Sequence, residues 1–398
     1  MIKNPQVLFI FCLAFVSTRF FEAQFINEHI MNYLYYAFVL GAIILSVPSL
    51  FPKRKDFVLP VQLIILSMLI SIQMAHMSWG ESYIKSIIGT LPYILWIFFF
   101  YLLDQKIPIK IIEKIIVIYG MVYIVLYLYQ FAHNNIVLFG ISEEYEESRG
   151  IVRIIFPGAG IFFLSIFLSI NKLTTQDDNK WFWLVLAVVG VIITVMQATR
   201  QLIAGVLLLY LYHFIKGQKI HRIVIILAIF IGVMLYISHS DNAIINGIIE
   251  TQNVTSQEGK DNIRIIAGTY FLTEFSPNNI SRIFGNGVPY TSNSNYGSYV
   301  SNLGDQGFYF SDVGIIGLYV MFGILSVFAY ILIWIKSFIL PITDEFMYVK
   351  YYLWFLLFTS LTSYNVYHTG YLLATVFSLY IFQTNYKGKG IKARTVQF

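Results

Sequence analysis

Apolar runs of about twenty residues recur along most of this chain, and that one feature leaves few folds open. A helix needs about that length to cross the hydrocarbon core of a bilayer. The runs are continuous rather than alternating, which argues against a transmembrane β-barrel. Of the 398 residues 58% are hydrophobic and 12% are charged, a charged share about half that of an ordinary soluble domain. The expected fold is an all-α polytopic integral membrane protein with about twelve spans. They fall near residues 5–20, 31–50, 57–75, 86–103, 111–131, 154–170, 180–197, 201–215, 222–238, 312–335, 349–363 and 369–385. The runs at 180–197 and 201–215 are short and nearly abutting, so they read as a hairpin closed at the outer face. Lys3 ahead of an apolar run resembles a signal peptide without a small-residue cleavage site, and reads as an uncleaved first span. The single cysteine, Cys12, excludes an internal disulfide and any cysteine-based metal cluster.

One long polar interval, from about Ser238 to Asp312, interrupts this pattern and is the place with enough polar side chains to build a site. Around it the chain divides into three parts. Residues 1–150 hold about five spans and an acidic outer loop, 151–335 hold the core with the large loop, and 336–398 hold a final helix pair and a basic tail.

Charge gives the orientation. With both termini placed in the cytoplasm, 18 of the 26 basic residues fall on the inner side, as positive-inside bias requires. The two basic residue types then separate. Fifteen of 17 lysines lie inside, whereas six of nine arginines, Arg19, Arg149, Arg153, Arg200, Arg264 and Arg282, lie outside. Topology alone treats lysine and arginine alike. Arginines kept against it point to a task for a planar, permanently charged fork, and phosphate binding is the commonest such task.

Each motif carries a structural reading beside the functional one. Arg153, in Arg149-Gly-Ile-Val-Arg153-Ile-Ile-Phe-Pro157-Gly158, could snorkel to headgroups as an interfacial anchor. Arg200 sits in the tight link of the short hairpin, where an unpartnered charge is costly. Arg264 follows Asn262 at the start of an apolar-rich stretch, and a salt bridge to Asp261 or Glu274 would explain it. Gly285-Asn286-Gly287 and Gly304-Asp305-Gln306-Gly307 are turn formers first. Asp305 and Asp312 could each serve as a base toward a hydroxyl, although Asp312 reads better as a helix cap. His368, in Tyr364-Asn-Val-Tyr-His368-Thr-Gly370, is an isolated histidine near a helix start. Glu143, Glu144, Glu146 and Glu147 read most simply as a solvated loop.

In four features the sequence resembles the bacterial O-antigen polymerase and O-antigen ligase superfamily. They are Arg153 with Pro157, Thr199-Arg200 opening a span, Asn262-Ile-Arg264 followed by Phe284-Gly285-Asn286-Gly287, and Asp312-Val-Gly314-Ile-Ile-Gly317-Leu318 leading into the next span. The resemblance covers roughly residues 149–320 and implies a glycosyltransferase whose donor is a sugar chain on a polyprenyl pyrophosphate. It implies that Arg153, Arg200, Arg264 and Arg282 hold the pyrophosphate leaving group. Charge neutralisation can supply much of such a reaction, and the sequence offers no carboxylate cluster of the kind that holds Mg²⁺. No cofactor is expected.

Related ligases carry a histidine shortly before that last span, whereas Ser301–Ser311 here has none and offers Asp305 instead. The expectation is therefore a polymerase of O-antigen, capsule or exopolysaccharide repeat units in the bacterial inner membrane. Asp305 is the expected base and His368 the reserve. Its partners would be the lipid-linked oligosaccharide, membrane lipid and a chain-length regulator, with no nucleic acid. A ligase, differing only in acceptor, and a lipid-linked oligosaccharide flippase are the competing readings. A flippase would show repeated halves or mid-span charges, and neither is visible in the sequence.

Overall fold

In lipid there is no water for backbone groups to bond, so apolar runs satisfy their N–H and C=O groups internally as helices. The computed structural model of the protein describes residues 4–52, 56–133, 136–142, 154–197, 199–216 and 262–386, and these are mostly helical. The first part contains α1 (Pro5–Ser17), α2 (Glu28–Ser46), α3 (Val58–Trp79), α4 (Tyr83–Thr90), α5 (Phe98–Gln105) and α6 (Ile109–Ala132). A two-residue pair, β1 (Ile141–Ser142) with β2 (Ile154–Ile155), follows in antiparallel register. Then come α7 (Ala159–Thr175), α8 (Lys180–Met196) and α9 (Arg200–Ile215). The polar interval contributes α10 (Ile263–Thr273), α11 (Asn279–Phe284) and α12 (Asn295–Gly304), and α13 (Ile315–Ile339), α14 (Met347–Thr359) and α15 (Thr369–Asn385) complete the bundle.

Among the described residues five helices are long and apolar enough to cross a membrane: α1 with its 3₁₀ extension to Glu22, α2, α3, α6 and α13. A sixth arises if α4 and the stretch Tyr93–Gln105, bent by 52°, form one span. The bend falls at Pro92, which has no N–H to continue the helix. α8 and α9 pack side by side across the short link 197–199, as a hairpin. The run at 222–238 lies outside the described residues.

Two boundaries differ from expectation for clear reasons. The span expected from 154 begins at Ala159, because Phe156 precedes Pro157 and is driven to extended backbone, leaving Ile154 and Ile155 to pair with β1. The span expected from 312 begins at Ile315 and is broken at Gly323, where φ is 77°. That break frees the carbonyls of Val320 and Met321, and the polar interval satisfies them. The Asn286 and Gly287 amides donate to them at 2.8 and 2.9 Å. A Cβ on Gly285 would lie 2.5 Å from the Met321 carbonyl oxygen, and one on Gly323 would lie 2.4 Å from the Phe284 carbonyl carbon. Only glycines allow this approach. The Asn286 side chain, fully buried, donates to Ser276 Oγ and accepts from Trp79 Nε1, both at 3.0 Å. The Gly-Asn-Gly motif is thus a clasp between the polar interval, α3 and α13.

The bundle has two chemically distinct ends. At one, Gln6 bonds Gln105, Tyr380 bonds the Ile107 carbonyl, Tyr386 bonds Asp56, and Lys172 meets Glu113 and Glu345. Lys106, Lys110, Lys114, Lys180, Lys216, Lys336 and Lys350 lie on helix turns at this same end. At the other end Gln24 meets Leu138, Glu81 meets Tyr296, and Ile315 meets Ser360. Every described arginine, Arg19, Arg200, Arg264 and Arg282, is at that second end. Among the described lysines only Lys85 joins them.

Candidate functional site

The link between α14 and α15 organises the arginine end. It runs from Ser360 to His368, and four other segments bond or pack onto it. The Ile315 amide donates to the Ser360 carbonyl at 2.8 Å, fixing the start of α13. Thr362 hydrogen-bonds Gln201, fixing the start of α9. Tyr367 donates to the Phe310 carbonyl and Tyr330 to the Val366 carbonyl, each at 2.7 Å. Gly158, at the start of α7, lies beside Gly370, and a Cβ on Gly160 would come 2.5 Å from Tyr371 Cα. The N-termini of α7, α9, α13 and α15 therefore meet around one loop, and their aligned dipoles favour negative charge there.

Arg200 is the first residue of α9, one position from Gln201 and hence at this link. Arg264 stands in the first turn of α10 because Asn262 caps that helix, its side chain accepting from the Arg264 amide at 3.0 Å. Its Nε lies 3.9 Å from Asp312 Oδ2, with both side chains about half exposed. The salt bridge of Arg264 is thus to Asp312 rather than to Glu274, and Asp261 lies outside the described residues. Asp312 sits in a 3₁₀ turn, and Gly314, not Asp312, occupies the cap position of α13. Arg282 is elsewhere on the surface of the polar interval, donating to the Thr273 carbonyl at 2.7 Å. Arg153 lies outside the described residues, as does Arg149.

His368 occupies the cap position of α15 without using its ring as a cap. The ring meets Tyr364 edge-on at 4.5 Å and Tyr371 at 6.1 Å. Burial, reinforced by the positive charge of Arg19, pushes the imidazole down to about 4. The ring is therefore neutral at pH 7 and has one nitrogen able to accept a proton. Asp305 ends α12, exposed, at the turn Gly304-Asp305-Gln306-Gly307. That turn closes the helix through amide bonds from Gly307 to Gly304 and from Phe308 to Leu303. Arg200 and His368 lie at this link, Arg264 connects to it through Asp312 on the segment whose Phe310 bonds Tyr367, and Asp305 sits in the turn whose Gly307 lies against Ile263, beside Arg264.

Arg19 counts among the outer arginines in the sequence, but no motif there assigns it to the donor site. It begins four successive residues in left-handed backbone, Arg19 to Glu22, with φ of 47°, 55°, 53° and 48°. None is glycine, and the left-handed region costs about 1–2 kcal/mol per residue. Neighbours hold the turn in place. The Gly140 amide donates to the Phe21 carbonyl and the Gln24 amide to the Leu138 carbonyl, each at 2.9 Å. Phe21 is buried, and Gly158 lies against Thr18, where a Cβ would come within 2.8 Å. The signal for this turn was Arg19 and Glu22 three apart directly after an apolar run.

Among the described residues no group of three or more His, Cys, Asp and Glu side chains could hold a metal ion. No family model and no curated protein matches the chain, so the geometry itself must support a functional reading. It offers arginines, helix N-termini and a neutral imidazole around one loop at the end of an apolar bundle. Such a site can bind a strongly anionic group and accept a proton beside it.

Proposed function

We propose that the protein is a membrane glycosyltransferase that polymerises oligosaccharide repeat units carried on a polyprenyl pyrophosphate. In this reading the chain crosses the bacterial inner membrane about twelve times, with both termini and the lysine end in the cytoplasm. The arginine end and the polar interval then face outward. The observation that carries the reading is the convergence of Arg200 and four helix N-termini on the Ser360–His368 link, with Arg264 paired to Asp312 on the segment bonded to that link. The pyrophosphate is the leaving group, and its developing charge is what these cations would stabilise. Arg153, outside the described residues, is assigned to the same donor role by its sequence motif alone. Arg282, by contrast, would meet the donor only at the rim.

Two bound chains brought together already shed much of the entropic barrier. A base would add about a hundred- to ten-thousand-fold. His368 is the favoured base, since its ring is neutral and stands at the end of the link where α7, α9, α13 and α15 begin. Asp305 is the alternative. Purified protein supplied with lipid-linked repeat units, without divalent metal, decides between them. Turnover by Asp305→Asn with a dead His368→Gln assigns His368, and the reverse assigns Asp305. Turnover by both leaves positioning and leaving-group stabilisation to carry the reaction. Transfer to a lipid A core with no chain growth would turn the reading to a ligase. Movement of intact lipid-linked units across vesicles without any new glycosidic bond would replace it with a flippase.

A further inference from the structure

We infer that Arg19 is an additional anion contact of this site, held ready by Asn32 and by Glu22, the carboxylate an incoming anion displaces. The inference rests on the reading above but adds a residue from a different part of the chain. Arg19 Nε pairs with Glu22 Oε1 at 2.7 Å, and one Nη2 proton goes to Asn32 Oδ1 at 3.2 Å. A guanidinium has five N–H donors in a fixed fork, and these two bonds leave the outer edge of the fork available among the described residues. The Arg19 side chain is 41% exposed, whereas Glu22 is 10% exposed. The carboxylate is therefore the buried, fixed partner and the guanidinium is the accessible one. Gly158 lies against Thr18, the residue before Arg19, and beside Gly370, which itself lies against the His368 ring, so the turn that carries Arg19 packs next to the proposed base.

Two further observations point to this space as a place for a ligand. The left-handed run Arg19–Glu22 is maintained against its backbone preference by contacts to Leu138, Gly140 and Gly158. Strain of this kind persists where surrounding structure over-determines it, and it clusters at ligand clamps. Ser17 Oγ and Asn365 Nδ2, in the segments that carry Arg19 and His368, are buried and have no hydrogen-bond partner among the described residues. The ligand class is a pyrophosphate or phosphate ester. An anionic lipid headgroup offers the same chemistry, and the experiment separates the two.

Full-length protein purified in detergent is titrated with inorganic pyrophosphate, and in parallel reconstituted into nanodiscs containing phosphatidylglycerol. Arg19→Gln should weaken pyrophosphate binding roughly tenfold to a hundredfold, the loss expected for hydrogen bonds to a charged group. Arg19→Lys should fall between, since it keeps the charge and loses the fork. Glu22→Gln should bind pyrophosphate several-fold more tightly, because the competing charge is gone. A purely structural Arg19–Glu22 pair predicts no such gain, so this variant decides the matter even if Arg19→Gln fails to fold. Wild-type affinity in Arg19→Gln, with Arg200→Gln impaired, would overturn the inference and leave the donor site standing. Loss confined to phosphatidylglycerol retention would also overturn it, making Arg19 an interfacial anchor. If Arg19→Gln loses pyrophosphate while the wild type joins no lipid-linked sugars, the anion contact holds and the glycosyltransferase reading fails. No binding of pyrophosphate by the wild type would remove both.

Discussion

The lysine end and the arginine end of this bundle handle charge in opposite ways. At the lysine end Lys172 is 3% exposed and lies 3.1 Å from Glu113 and 3.6 Å from Glu345. Tyr348 donates to the same Glu113 oxygen at 2.9 Å, and Asn171 ties down the Asp344 and Glu345 carbonyls. Lys216 closes on Asp344 at 2.6 Å at the surface of the same end. These groups lock α6, α7 and α14 together. At the arginine end Arg264 reaches Asp312 only at 3.9 Å, half exposed, and Arg19 keeps an accessible edge. A charge paired inside protein has finished its task by folding. One left loosely paired at a surface still has coordination to offer. The difference separates structural cations from candidate binding ones more sharply than residue type does.

The largest effect should come from the arginines of the proposed donor site. Arg200→Lys and Arg264→Lys should each lose most polymer, about a hundredfold or more, with insertion and thermal stability unchanged. Lysine keeps the charge but not the two-pronged geometry. Polymer yields in a deletion strain, normalised to membrane protein level, measure this. Wild-type yields from both variants would make the arginines headgroup anchors and erase the contrast between the ends.

The tightly paired set should respond in stability instead. Lys172→Met leaves Glu113 buried without its cation, a change that costs about 3–5 kcal/mol. Thermal unfolding in detergent should fall accordingly, while turnover per folded molecule stays near wild type. Adding Glu113→Gln to Lys172→Met should recover much of the loss, because the uncompensated charge is then gone. A stable Lys172→Met protein with dead chemistry would place function at the lysine end.

How much of this was legible in the sequence depends on the physical signal involved. Long apolar runs such as Val58–Trp79 and Ile109–Ala132 are set by local composition, and their helices appear where expected. The hairpin at Gln197–Thr199 was legible for the same reason. The break at Gly323 was not, because a glycine inside an apolar run carries no sign of the distant Asn286 and Gly287 amides that satisfy it. Asp312 read as a cap because short-range patterns favour that, yet Arg264, forty-eight residues away, draws its side chain instead. His368 looked isolated in sequence. Only the packing of Gly158, Gly160 and Gly370 brings it to the strained turn at Arg19. Asp305 was favoured for its interval in the chain, which gives order along the sequence and no neighbours in space.

A smaller effect tests how the polar interval is held over the arginine end. Asn286→Ala removes a fully buried side chain bonded to Trp79, Ser276 and the Val320 carbonyl. Leaving such partners unsatisfied costs about 1–3 kcal/mol. Hydrogen exchange should rise across residues 276–296 and around the Gly323 break, with the lysine end unaffected. Uniform destabilisation of the whole bundle would mean that the clasp is not a local device.

The smallest effect at physiological pH concerns His368, and its sign follows from its surroundings. Burial first and Arg19 second hold the imidazole down to about 4, below its usual value of 6.5. As a base the ring must be neutral, so kcat/KM should stay flat from pH 8 to pH 5 and fall only as pH drops through about 4. The unfolded chain takes up a proton near pH 6.5 that the folded chain refuses until about 4. The ring's contribution to stability is therefore present above that window and is lost as pH falls across it. Arg19→Gln removes the second cause but leaves the first, so the acid limb should move upward by less than the full distance to 6.5. At pH 7 the change in protonation is nearly invisible, which separates it from the loss of anion affinity in the same variant. A wild-type limb already near 6.5 would show that the ring is hydrated rather than buried at the site. A limb unmoved by Arg19→Gln would show that the guanidinium does not face it.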